Sequence, residues 1–358
     1  MNPSLDAVEK GATAAFTQLA GRELPARFGD LQHEWGAVRQ QAGLLDARFR
    51  ALVRLTGMDR ITFTQGMLTN DVARLVPGMG TYAALLTQQG KIVSDLYLYA
   101  LPEELWLDVP VQCADTVRAA LERYIVADDV EFASSEGWQP LIAIEGPDAA
   151  RIVLAMSGER VNDVPPFAHR EVTIDGVQLR IAATSHAGEQ GYVLFGAEDV
   201  GASVWQRARA TGAVPIGMDA LDVLRLEAGI PWYGRDMDQS TLISEVGLTA
   251  AVSFTKGCYL GQEVVERVAA RGQVQRALVG LLCDGQTAPA PGAKITGEGK
   301  DIGAVTSAAW SPARRAVIAL AYVRRGYWEP ATAIDIATGE GCPPIAARVT
   351  PLPFYRRR

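Results

Sequence analysis

The sequence predicts an α+β protein that closes on a C-terminal β-barrel, and three observations carry that reading. From Arg276 onward, short apolar runs (ALVGLL, IGAVTSAAW, AVIALAYV, TAIDIA, IAARVT) alternate with Gly- and Pro-bearing turns, the spacing of a small barrel over residues 276–358. Upstream of it, strand-like alternation is interleaved with helix-period stretches. The chain has 358 residues, long for a single core, so two or three lobes are expected.

Element by element, ALVRLTGM (51–58) alternates like a strand, and Asp59 opens a short helix through Ile61, Phe63 and Met67. Thr81 to Leu101 reads as a hairpin about Gln88-Gln89-Gly90, and Leu105 to Val109 adds a strand. Ala114 to Ile125 has helical spacing at Val117, Leu121 and Tyr124. LIAIEG after Trp138 is strand-like, and Pro147 and Gly158 bracket a helix. Strands are expected at 171–182 and 192–195, then a helix near 199–210. Asp219 to Ala228 is a helix with Leu221, Leu224 and Ala228 on one face, stopped by Gly229 and Pro231.

Composition narrows the function classes. Hydrophobic content of 48% and charged content of 21% suit a soluble globular protein, and no apolar run approaches the ~18 residues of a membrane helix. Asp6, Glu9 and Lys10 stand where a signal peptide would be basic and then apolar, so a cytoplasmic protein with no membrane partner is expected. A net charge of −7 argues against a nucleic-acid binder. The four cysteines form no C-x-x-C pair and the three histidines no metal spacing, so neither a resident metal nor a disulfide scaffold is expected.

The densest segment is SFTKGCYLGQEVVER (253–267). Gly257 and Gly261 bracket Cys258, Lys256 lies two positions before it, and a nearby cation favours the reactive thiolate. Gln262 and Glu263 add hydrogen-bonding and acid–base capacity, and Val264 to Val268 reads as helix, whose dipole would favour the thiolate further. The bland alternative is a small buried hydrophobe, as most free cysteines are. Cys283 reads as core, and Cys113 and Cys342 lack a cationic neighbour within two positions. A second candidate is Asp95 in KIVSDLYLY, which shares a strand face with Val93, Tyr97 and Tyr99. A carboxylate there faces either solvent or a cavity with a polar ligand. Tyr82 on the facing strand is a stacking partner for such a ligand or an ordinary cross-strand aromatic. The closing FYRRR is a solvated tail or a clamp for a carboxylate-bearing ligand.

Two segments carry a resemblance. Lys256-Gly257-Cys258-Tyr259-Leu260-Gly261-Gln262-Glu263 followed by Arg267, with Arg225-Leu226-Glu227-Ala228-Gly229-Ile230-Pro231 upstream, resembles the signatures of the YgfZ family. Leu68-Thr69-Asn70-Asp71, the QGKIVSDL hairpin and Pro353-Phe354-Tyr355-Arg356 extend it over nearly the whole chain. The same landmarks are similar to the glycine cleavage T-protein, an aminomethyltransferase. The resemblance implies a three-lobed fold around a central cavity, with two intertwined lobes in residues 1–275 and the barrel in 276–358. It implies tetrahydrofolate or another reduced folate as cofactor, with Asp95, Tyr82, Tyr192, Arg225 and Arg356 as folate-binding residues. Cys258, Lys256, Gln262 and Glu263 become the catalytic candidates.

Departures from the T-protein pattern set the expectation of function. Ser94 replaces the first of an acidic pair, Leu221 an arginine, Val193 a glutamate that reads the pterin edge, and Ala47-Arg48-Phe49-Arg50 an S-H-M-G segment. Losing charged anchors argues against aminomethyl transfer. The expectation is therefore a folate-binding accessory protein for iron–sulfur cluster assembly or repair, acting through Cys258 on iron–sulfur enzymes or assembly proteins, including those that modify tRNA. The alternative is a folate-dependent aminomethyltransferase of the T-protein type.

Overall fold

The computed structural model describes residues 5–11, 15–272, 274–339 and 343–357; Cys342 and Arg358 lie outside them. The chain forms two compact units. The first comprises Met1–Leu86, Val93–Leu221 and Ala250–Leu260, and the second Thr87–Ile92, Asp222–Thr249 and Gly261–Arg358.

In the first unit, one sheet runs in the order Gly80–Leu86, Ile92–Ala100, Leu105–Pro110, Arg50–Thr56, Glu131–Ala133. Tyr97 lies opposite Asp108, and Asp108 opposite Leu52. Because strand side chains alternate, this register puts Arg50, Asp108, Tyr97 and Asp95 on one face. A second sheet runs His169–Ile174, Val177–Ala182, Gly191–Gly196, Gln139–Glu145, Gly43–Asp46, Val214–Pro215, with only the last pair parallel. Trp205 and Ala208 from the helix Gly201–Ala210, and Ile152 and Met156 from Ala149–Ser157, fill the core against Leu141, Ile144 and Leu194. Gly158 ends the second of these helices in the left-handed conformation at φ 75°, as its place after the helical run suggests.

In the second unit, six strands close a barrel in the order Arg276–Cys283, Ala316–Arg324, Lys300–Ser311, Lys294–Gly297, Ala333–Ile336, Ile345–Thr350. Small and β-branched side chains such as Val305, Val317, Ala319, Ala321 and Val349 fill it. At Gly303 a Cβ would meet the Tyr322 carbonyl oxygen at 2.0 Å, so only glycine lets these strands approach.

The α+β class and the terminal barrel match the sequence reading. Among the elements not anticipated are the hairpin Ala15–Leu19/Arg22–Arg27, the helix Leu31–Gln40 and the strands Gly43–Asp46, Glu131–Ala133 and Val214–Pro215. The hairpin alternates only weakly and carries Pro25. The helix is capped by Asp30, whose carboxylate accepts from the His33 N–H. Among the described residues, no helix is long and apolar enough to cross a membrane.

Candidate active site

The 80–100 hairpin turns at Gly90, whose φ of 74° is open to glycine at little cost. The second strand then delivers Asp95 to the face that also carries Arg50. The Tyr82 hydroxyl donates to Asp95 Oδ2 at 3.0 Å, while Asp95 Oδ1 is buried and has no hydrogen-bond partner among the described residues. Burial raises the Asp95 pKa above the ordinary carboxylate value, opposed by Arg50 and by the Tyr82 hydrogen bond. A buried acceptor left unpaired costs about 1–3 kcal/mol, a cost that a ligand donor would offset.

Arg50 Nε donates to Asp108 Oδ1 at 2.8 Å, and its guanidinium lies 4.8 Å from the centre of the Tyr97 ring. Burial opposes the Arg50 charge, but Asp108 and Asp95 more than offset it and raise its pKa, so one cation stays between the two carboxylates. Tyr97 is the shared wall: its ring is 5.1 Å from Tyr82, 5.7 Å from Phe167 and 5.8 Å from His186. Phe167 holds φ at 64°, an uncommon conformation for a bulky residue, and stacks on Tyr97.

His186 comes from the 183–190 loop, which Glu145 organises. Its Oε2 accepts from Ser185 Oγ at 2.7 Å and the Ala187 N–H at 2.8 Å, and its Oε1 from the His186 N–H at 2.8 Å. Burial nonetheless pushes the Glu145 pKa up to about 7. A buried ion pair, Arg39 Nη1 to Glu189 Oε1 at 2.8 Å, ties the same loop to the helix Leu31–Gln40. Burial, with Arg50 adding to it, pushes the His186 pKa down to about 3, so the ring is neutral. Arg50, Tyr97, Phe167 and His186 were not among the sequence candidates. Tyr97 was legible two positions beyond Asp95 on the same face; His186 and Arg50 depend on contacts between distant strands.

Lys256 Nζ donates to the carbonyls of Gln65 (2.6 Å), Leu68 (2.6 Å) and Asn70 (2.9 Å). All three ammonium donors are thereby engaged, so the structure assigns Lys256 to clamping the 65–70 loop. Burial lowers its pKa to about 8. The clamp bears on the hairpin, because Asn70 Nδ2 donates to the Tyr82 carbonyl at 2.8 Å. Cys258 is exposed in the loop that follows. Gln262 and Glu263 open the helix Gln262–Arg271 in the second unit, and the Gln262 amide donates to the Glu266 carboxylate.

The remaining folate candidates belong to both units. Tyr192 donates its hydroxyl to the Val161 carbonyl at 2.9 Å and lines a cavity of about 340 Å³ shared with Phe167 and Glu189. Arg225 and Arg356 belong to the second unit. Arg225 is buried and bound to Asp236, Asp222 and Ser307. Arg356 is exposed.

Fold and side chains define an α+β protein with a terminal barrel and a buried carboxylate beneath an aromatic wall. The chain belongs to the glycine cleavage T-protein family: residues 5–256 match the GCVT N-terminal domain and residues 276–356 the glycine cleavage T-protein C-terminal barrel domain. It is 32% identical to an aminomethyltransferase of Nostoc sp., covering 96% of this chain and 92% of the relative. It is also 32% identical to one of Streptomyces coelicolor, covering 99% and 97%. A crystal structure of glycine cleavage system aminomethyltransferase T from Bartonella henselae superposes with a TM-score of 0.89 at 26% identity, over 97% of this chain and 96% of that one.

These relatives overturn the expectation of an iron–sulfur accessory protein with iron–sulfur clients, and favour the aminomethyltransferase alternative. Val193 and Leu221, where the T-protein pattern has charged residues, are buried apolar positions here, 0% and 1% exposed.

Proposed function

We propose that this protein is an aminomethyltransferase of the T-protein type that passes a one-carbon unit to tetrahydrofolate, with Asp95 and Tyr82 at the folate ring. The observation that carries the reading is the unpartnered Asp95 Oδ1, buried beside Tyr82 and behind Tyr97. When bound, tetrahydrofolate supplies the two nitrogens that would accept the carbon, with ammonia and the lipoyl dithiol of the donor as the leaving groups. Asp95 holds a proton more tightly than a surface carboxylate, so Oδ1 can give or take one at such a nitrogen. Tyr82 keeps the carboxyl oriented, and Tyr97 and Phe167 offer rings for stacking. Within the family, the K-G-C-Y-x-G-Q-E segment gives this chain its likeness to YgfZ proteins. The proposed reaction makes no use of the Cys258 sulfur.

The test is a reconstituted assay with aminomethyl-lipoyl H-protein and tetrahydrofolate, measuring methylenetetrahydrofolate formed. Wild type is expected to turn over, and Asp95→Asn to lose about 100-fold or more in kcat/KM, the scale of a lost acid–base group. No product from wild type removes the activity, and an undiminished Asp95→Asn removes Asp95 from it.

A further inference from the structure

We infer that His186 reads the ligand of this site, its imidazole hydrogen-bonding the edge of the heterocyclic ring and fixing that ring's orientation. The inference rests on the folate reading and adds a residue to it.

The imidazole is placed by packing alone. Phe49 meets it edge-on at 5.0 Å and Tyr97 lies 5.8 Å away, yet both ring nitrogens are buried without a hydrogen-bond partner among the described residues. The residue is 7% exposed. A carboxylate beside it, Glu145, has Oε1 3.6 Å from Nδ1, beyond hydrogen-bond reach. That carboxylate already accepts the loop's own N–H groups and the Ser185 hydroxyl. Glu145 therefore fixes the loop that carries the ring and leaves the ring uncapped. If packing were the whole role, phenylalanine would fill the place without two desolvated nitrogens.

The charged and titratable groups facing the ring are Arg50 from the strand Arg50–Thr56, Glu145 from Gln139–Glu145, and Tyr97 from Ile92–Ala100. Burial and Arg50 both oppose the imidazolium. The ring thus presents one donor and one acceptor. That pair suits a flat heterocycle with neighbouring N–H and carbonyl or ring-nitrogen groups, as on the edge of a reduced pterin. Asp95 Oδ1 and Asp108 Oδ2 are also unpartnered on the face that carries Tyr97, and Asp95 and His186 would grip different atoms of one ring.

The experiment is anaerobic calorimetry of tetrahydrofolate binding to wild type, His186→Phe and His186→Gln, with a melting curve for each. His186→Phe is expected to weaken binding about tenfold without lowering Tm, and His186→Gln to recover part of the loss. Should the phenylalanine variant not fold, His186→Gln against His186→Leu makes the same comparison. Equal affinity with and without the ring nitrogens overturns the inference. A wild type that binds no tetrahydrofolate overturns the folate reading and this inference with it, whereas binding unaffected by the substitution overturns this inference alone.

Discussion

Arg50 is one guanidinium between two buried carboxylates, and removing it acts on both. Arg50→Met leaves Asp108 without its partner and takes away the cation that opposes the rise in the Asp95 pKa. The acid limb of the transfer pH profile is therefore expected to move to higher pH, with a loss of stability of about 3 kcal/mol from the broken buried pair. A profile superposing on wild type would show that Arg50 does not act on Asp95. Lys256→Met removes a charged donor from three carbonyls and is expected to cost about 2 kcal/mol in urea unfolding. Cys258→Ser, in an exposed loop, should change neither Tm nor transfer rate. These residues also mark how far the sequence could be read. Asp95 and Tyr82 were legible because strand alternation placed them. The part played by Lys256 was not, because its carbonyl partners lie nearly two hundred positions away and a cation next to a cysteine suggests a simpler story.

Strand and loop positions show the same division. The 80–100 hairpin, the helix ending at Gly158 and the barrel announce themselves through period and turn residues. The two-residue strand Val214–Pro215, parallel to Gly43–Asp46, offers no period at all and exists only through its partner. Close approaches are equally silent in the sequence. At Gly80 an added Cβ would meet the Phe167 carbonyl oxygen at 2.4 Å and the Leu98 carbonyl oxygen at 2.5 Å. Gly80→Ala must push backbone apart where Phe167 is held, and about 1–3 kcal/mol of destabilisation is expected. Folate affinity should fall with it; an unchanged Tm would mean that the strand yields freely there.

Across the molecule, buried titratable groups set the pH dependence of stability. Glu9 packs with Asp46 and Asp6 around Arg48, and desolvation pushes its pKa up to about 9. Glu145 rises to about 7. A carboxyl group with a raised folded pKa contributes stability that is complete below its unfolded value and is lost as pH rises through the folded one. His186 and His169, lowered to about 3 and 4, act in the opposite sense but only below their unfolded value near 6.5. Stability is therefore expected to fall between pH 6.5 and 8, by of order 1 kcal/mol per pH unit for each protonated carboxyl. Glu9→Gln should flatten that limb in denaturant titrations at several pH values; a limb unchanged by it would place the proton elsewhere.

The Lys256 clamp also bears on the order in which the polypeptide can mature as it is made. Ala250–Leu260 completes the first unit through Lys256, through the Ser253 N–H on the Thr69 carbonyl and through the Leu260 N–H on the Gly66 carbonyl. Those residues leave the ribosome only after Asp222–Thr249, which belong to the second unit. A nascent chain that has reached Thr249 holds the Tyr82 hairpin with its 65–70 loop unclamped, however long synthesis pauses there. Domains commonly consolidate from the N-terminus as they emerge. Here the aromatic wall must wait for a segment made after residues 222–249. Translation arrested at 249 should leave the 65–84 region open to protease, and arrest far enough beyond 260 to clear the tunnel should protect it.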